Sequence, residues 1–234
     1  MPDFAAFDRR HYEIIGVRAG YEAWAPTYDD TVDDAMDLAL LDRLDSVDWR
    51  GVTRAADLGC GSGRTAAWLR RQDQFPIDGV DATPAMLDLA RHRGVHDRLV
   101  EADVRDTGLP SAAYDLVVCV LVDEHLPELA PLYAEARRLL TPGRAASFVL
   151  VGVHPFFLMA VGMPTHFDGP AGDPVAIETH IHLPGEHVAA ARAVGLTAAE
   201  LHEGHVGDRL IALKPSWEAY RFWPFSYAWV WSAP

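Results

Sequence analysis

Residues with chemical capability gather at three places along the 234-residue chain. The first is Asp57-Leu58-Gly59-Cys60-Gly61-Ser62-Gly63. Alternating glycines allow positive φ where a strand must turn sharply, and without a Cβ they let a ligand lie against bare backbone. A helix over 65–71 would offer unpaired N–H groups to anything anionic or carboxylated at its mouth. The second place is Asp81, 18 residues beyond Gly63. Doubly wound α/β folds put a carboxylate about 20 residues on, where it takes both ribose hydroxyls of a nucleoside, and an ionised acid accepts two such bonds at once. The third is a set of proton acceptors: His154, His166, His180 and His182, with Asp123 and His125 further upstream. Histidine is the natural base near neutral pH. His154, expected at the end of a strand and facing the reacting centre, is the first choice of base; His166 is second, and Asp123 completes the set.

Positioning these groups requires strands that end together. Residues 55–58 read as a buried strand, 75–81 as the next and 99–104 as a third. The stretch 113–122 is nearly continuously apolar, as a strand buried on both faces should be. A helix is expected over 123–140, stopped at Thr141-Pro142-Gly143, and a strand over 144–153. Thr83 is expected to cap a helix that starts at Pro84. Later come a helix over 185–194, a strand over 196–205 and a helix near 208–221. The tail 225–231 alternates aromatic and small residues at period two, a strand signal. Between 154 and 183 lies a passage rich in Gly, Pro and His. It is longer than ordinary connections and too apolar for disorder, so it is expected to be a substrate lid.

The acid at 57 followed by G-x-G-x-G resembles class I S-adenosylmethionine-dependent methyltransferases; a dinucleotide fingerprint would need glycine where Arg64 stands. The segment Gly20-Tyr21-Glu22-Ala23-Trp24-Ala25-Pro26-Thr27-Tyr28-Asp29 is similar to one found ahead of the sheet in the ubiquinone/menaquinone methyltransferase-like group. The resemblance implies a seven-stranded, mostly parallel, doubly wound sheet of Rossmann-like methyltransferase type. Its last strand would run antiparallel, beneath an N-terminal helical cap (1–45) and a lid insert after the fifth strand, all in one domain over 1–234. It implies S-adenosyl-L-methionine as cofactor. The residues expected to hold it are Tyr21, Tyr28, Asp57, Gly59, Cys60, Gly61 and Gly63 from the cap and the glycine turn. Asp81, Ala82 and Met86 would lie near the ribose and adenine, Asp103 and Val104 at the adenine edge, and Val120 and His125 at the mouth of the 113–122 strand.

Several classes are excluded or set aside. A net charge of −14 and a pI near 5.1 repel polyanions, so nucleic acid is not expected as a substrate. The N/D-P-P-Y/F signature of amino-group methylation in nucleobases and glutamine is missing from the end of the 113–122 strand. Glu178, His180 and His182 would share one face of an extended segment. However, no Asp-Asp-Asn cluster of the magnesium-dependent catechol type stands at the strand ends, and no metal is expected. Residues 145–165 carry no charge, but Gly152, His154-Pro155 and Gly162 interrupt them, so a buried strand and cap are expected there and not a membrane span. Residues 1–10 lack an apolar core of signal-peptide length, and two isolated cysteines fit a reducing, cytoplasmic setting. The apolar lid points to a small, largely apolar acceptor, methylated on oxygen, nitrogen or carbon. Two alternatives stay open: an enzyme using the cofactor as a spectator for cyclisation or rearrangement, and a non-catalytic cofactor-binding module. A homodimer is also left open.

Overall fold

The computed structural model describes residues 4–143, 145–169 and 172–233. In chain order, β1 (Glu13–Ile15), α1 (Val17–Trp24), α2 (Tyr28–Thr31) and α3 (Leu38–Leu41) lead into β2 (Ala55–Leu58) and α4 (Arg64–Gln72). There follow β3 (Ile77–Asp81), α5 (Pro84–Arg93), β4 (Arg98–Glu101), β5 (Leu116–Val120), α6 (Ala130–Leu139) and β6 (Ser147–Val153). The C-terminal part holds α7 (Pro155–Val161), β7 (His166–Asp168), β8 (Pro174–Ile177), α8 (Pro184–Ala193), β9 (Thr197–His205), α9 (Asp208–Leu213) and β10 (Pro224–Ser232).

Seven strands form one sheet in the order β4-β3-β2-β5-β6-β10-β9. Strands β2 to β6 pair in parallel, and β10 runs antiparallel to both β6 and β9, as expected. The apolar run of β5 sits at the centre, where both faces are covered. One face packs Tyr133, Phe148, Trp229 and Trp231 under α6 and α8; the other packs Trp68, Leu69, Leu41 and Val149 under α3 and α4. The aromatic alternation of the tail is therefore core, with Trp229 and Trp231 stacked 4.8 Å apart.

Three expectations are corrected. The 123–140 helix is two pieces, a 3-10 turn (Asp123–His125) and α6, because Leu126 precedes Pro127 and adopts an extended ψ of 129°. A residue before proline is driven out of the helical region. Thr83 stands at the N-cap of α5 without a side-chain cap bond; its backbone N–H donates to Asp81 Oδ1 at 2.8 Å. The N-terminal cap is not wholly helical, since Glu13-Ile14-Ile15 forms a strand. It pairs in parallel with β8, which pairs antiparallel with β7, so the N-terminal segment and the 154–183 insert share a second, three-stranded sheet. No local pattern announces a strand whose partner is Val175–Ile177. The expected start of β6 at Arg144 lies outside the described residues, as do residues 1–3 of the cap and 170–171 of the insert. The apolar 145–165 run divides into β6 and α7, and among the described residues no helix is long and apolar enough to cross a membrane.

Candidate active site

Strand β2 ends in the glycine turn at the carboxyl edge of the sheet. Gly59 has φ +70°, and a Cβ there would lie 2.3 Å from Val122 Cγ2 on the neighbouring strand end, so only glycine fits. Gly61 has φ +52°, and its N–H donates to Asp81 Oδ2 at 2.9 Å. Asp81 therefore bridges the turn and the start of α5, taking one backbone N–H on each oxygen. Each oxygen keeps a second lone pair. The N-terminal segment is strapped onto the turn by ions: Asp29 accepts from Ser62 Oγ and Arg93, and Arg64 pairs with Asp34 and Asp37.

A cavity of about 240 Å³ opens on this turn. Gly59, Gly61, Asp81, Ala82 and Met86 line it, joined by Asp103, Val104, Val120, His125, Tyr21 and Tyr28. Asp103 holds Arg105, also in the lining, through both of its oxygens. Three residues expected here do not line it. Asp57 is buried beneath the turn and faces His96 at 3.3 Å. Cys60 is buried, with burial pushing its thiol well up. Gly63 backs onto Arg93, Val95 and His96. The acid and the third glycine build the bend from behind, leaving Gly59 and Gly61 as its exposed backbone.

His125 fixes the wall of that cavity. Its Nδ1 lies 2.8 Å from the Glu178 carbonyl, which can only accept, so Nδ1 carries the proton. Nε2 is then an acceptor, and the Tyr21 hydroxyl donates to it at 2.9 Å. Burial pushes the Tyr21 phenol well up and the His125 imidazole down, so both stay neutral in this arrangement.

A second cavity, about 340 Å³, adjoins the first through Tyr21, Tyr28 and Leu121, which line both. Leu121 has φ +56°, a rare conformation for a branched residue, held by its N–H donating to Val151 O at 2.7 Å. The second cavity is walled by Trp24, Phe157, Phe167, Trp217 and Phe225, with Glu124, Thr165, His166, Asp168 and Lys214 as polar members. The insert supplies much of this wall.

The expected bases fare unequally. His166 lines the second cavity, stacked on Tyr12 with its Nδ1 donating to the Pro164 carbonyl at 2.9 Å. His154 does not: it caps α7, accepting from the Phe156 N–H at 3.1 Å, and its Nε2 meets Glu203 at 3.1 Å on the β9 side. Asp123 lines neither cavity and lies behind the site. Tyr133 donates to His187 Nδ1 (2.9 Å), His187 Nε2–H donates to Tyr227 (3.0 Å), and Tyr227 donates to Asp123. Burial, with Glu124 beside it, pushes Asp123 up to about 7, and burial pushes His187 down to about 3.

Sequence reasoning missed Glu124 and Lys214. Glu124 is 3% exposed yet lines the second cavity, where burial pushes its carboxyl up and Oε2 has no hydrogen-bond partner. The sequence signal was the acid between Asp123 and His125. Lys214 is the chain's only lysine. His180 and His182 part company, His180 facing Glu178 at 3.5 Å and His182 the Leu126 carbonyl at 2.7 Å. Among the described residues no group of three His, Cys, Asp or Glu side chains could hold a metal.

Comparison with known proteins adds to this geometry. Residues 56–148 match the family model of the methyltransferase domain. The chain is 33% identical over 151 residues to a trans-aconitate 2-methyltransferase of an Azoarcus species, covering 62% of this chain and 54% of that one. It is 31% identical over 129 residues to a ubiquinone biosynthesis O-methyltransferase of Hahella chejuensis, covering 51% and 53%. The match thus spans about half the length of these two relatives. A solved S-adenosylmethionine-dependent methyltransferase from Mesorhizobium loti superposes with a TM-score of 0.63 at 22% identity, covering 83% of this chain and 96% of that one, which shows the fold.

Proposed function

We propose that this chain, whose residues 56–148 match the methyltransferase domain, is a class I S-adenosylmethionine-dependent methyltransferase that transfers a methyl group to a small, largely apolar acceptor. The observation that carries this reading is the shared wall. Two cavities, one against the glycine turn and one under the insert, meet at Tyr21, Tyr28 and Leu121. An acceptor cavity beside the cofactor cavity supports turnover over a module that only binds. The residues present suit an adenosyl group: Gly59 and Gly61 offer backbone, Asp81 offers free lone pairs, and Met86 and Val104 offer apolar surface.

When bound, the cofactor supplies an activated methyl on a sulfonium. The chain's own residues then bind, orient and exclude water. Asp81 would take the cofactor's ribose hydroxyls. The Tyr21–His125 pair fixes the wall between the cavities, and the aromatic lining of the second keeps water from the acceptor. Glu124 is the best-placed proton acceptor, a buried carboxyl at the cavity wall raised toward the operating pH; His166 is the alternative. Two free, buried cysteines and the net charge of −14 support an enzyme of a reducing compartment that does not act on nucleic acid.

A screen of small-molecule acceptors for S-adenosylhomocysteine release tests the proposal. A hit whose product is heavier by one CH₂ is expected. A product of unchanged mass with the cofactor intact would reassign the chain to spectator chemistry.

A further inference from the structure

The acceptor cavity holds the chain's single lysine. Of the 20 Lys and Arg residues in the sequence, only Lys214 is lysine. Arginines around the core are tied down by carboxylates, as in Arg54–Asp78, Arg64–Asp37, Arg93–Asp29 and Arg138–Glu135. Among the described residues Lys214 has no ion pair. Its Nζ lies 4.9 Å over the Trp217 ring, a contact it can keep while receiving a ligand on its other side. The acid that bears on it electrostatically is Asp33, which is already engaged with the Ala35 N–H at 2.7 Å and Arg209 at 3.5 Å. Arg10 adds positive charge near His166, whose imidazole is kept neutral by burial, while Asp168 and Glu124 are the acids of the same cavity or its rim. Burial pushes the Lys214 ammonium down, an unfavourable state that a partner anion reverses.

We propose that the acceptor is an amphipathic molecule carrying one anionic group, a carboxylate in the simplest case, and that Lys214 receives that group while the apolar remainder lies against Trp217, Phe157 and Phe225. This rests on the reading of the second cavity as the acceptor site. Lys214 lines that cavity alone and is no part of the wall shared with the first. In this proposal the anion is a handle and not the methylated atom, and the product keeps its negative charge. The overall charge of −14 does not oppose this. Exposed charges are screened beyond a Debye length of about 8 Å at physiological salt, whereas a cation inside a cavity acts on its ligand at contact. A lysine suits the task because it is a compact point charge on a flexible stem, able to follow anions of different geometry.

The test uses 2-naphthoate and its uncharged isostere 2-naphthamide, titrated calorimetrically into the full chain with and without S-adenosylhomocysteine. We expect naphthoate to bind at least tenfold more tightly than naphthamide. Lys214→Met should bring the two within twofold of each other, and Lys214→Arg should keep most of the preference. S-adenosylhomocysteine affinity in Lys214→Met should match that of the wild-type chain. Independently of any variant, naphthoate and not naphthamide should slow trinitrobenzenesulfonate modification of the only lysine. Equal binding of the two probes, failure of both to bind, or a preference that survives Lys214→Met overturns the proposal. Failure of S-adenosylhomocysteine to bind overturns the methyltransferase reading instead, leaving the probe comparison to report on the anion site alone.

Discussion

At the residue scale, function concentrates where the chain accepts local cost. Leu121 holds φ +56° at the meeting of the two cavities, and Glu124 is a buried carboxyl with an unpartnered oxygen. Strained backbone and unsatisfied polar atoms persist only where the surroundings enforce them, and such positions gather at working sites. Glu124→Gln keeps shape and removes the proton acceptor. Turnover on an acceptor found by the release screen should fall by about 10²-fold or more, with S-adenosylhomocysteine affinity within about twofold of wild type, whereas His154→Gln should leave turnover unaltered because His154 faces Glu203. Loss of turnover in His154→Gln with none in Glu124→Gln would reverse the assignment.

Among the elements, those with short-range signatures were legible. Glycines at alternate positions, an acid at 81 and a continuous apolar run define β2, β3 and β5, and these position the first cavity. What was not legible depends on partners far away. Strand β1 exists because Val175–Ile177 pairs with it, and His154 turned from the site because it caps α7 and reaches β9. Asp57 matches the motif but faces His96, since its strand-end neighbours place it under the bend. The junction of insert and N-terminal segment can be probed at Gly162. It ends α7 with φ +62°, and a Cβ there would sit 2.3 Å from the backbone oxygen of Phe7. Gly162→Ala should destabilise the protein by about 2 kcal/mol, from left-handed strain plus a backbone clash. Thermal unfolding checks this, and an unchanged Tm would mean that the two segments do not depend on one another.

For the whole molecule, stability against pH carries a signature of the buried network. Asp123, raised from 3.8 to about 7, keeps a proton in the folded state that the unfolded chain gives up. Its contribution to stability therefore falls as pH rises from about 4 to 7. His187, lowered from 6.5 to about 3, does the opposite: the unfolded chain binds the extra proton, so stability rises over about pH 3 to 6.5. The two slopes offset each other. Asp123→Asn should unmask the rise, making stability climb between about pH 4.5 and 6.5 more steeply than in wild type by up to about 1.4 kcal/mol per pH unit. Parallel curves for the two proteins would contradict the network.

Adenosyl binding in the first cavity is the premise of every catalytic role assigned above. Calorimetric titration of S-adenosylhomocysteine into the intact chain measures this directly. One site per chain with a Kd on the order of micromolar is predicted, weakened at least tenfold, or about 1.4 kcal/mol, in a folded Asp81→Ala variant. No heat of binding with the wild-type protein, or equal affinity in Asp81→Ala, would contradict it.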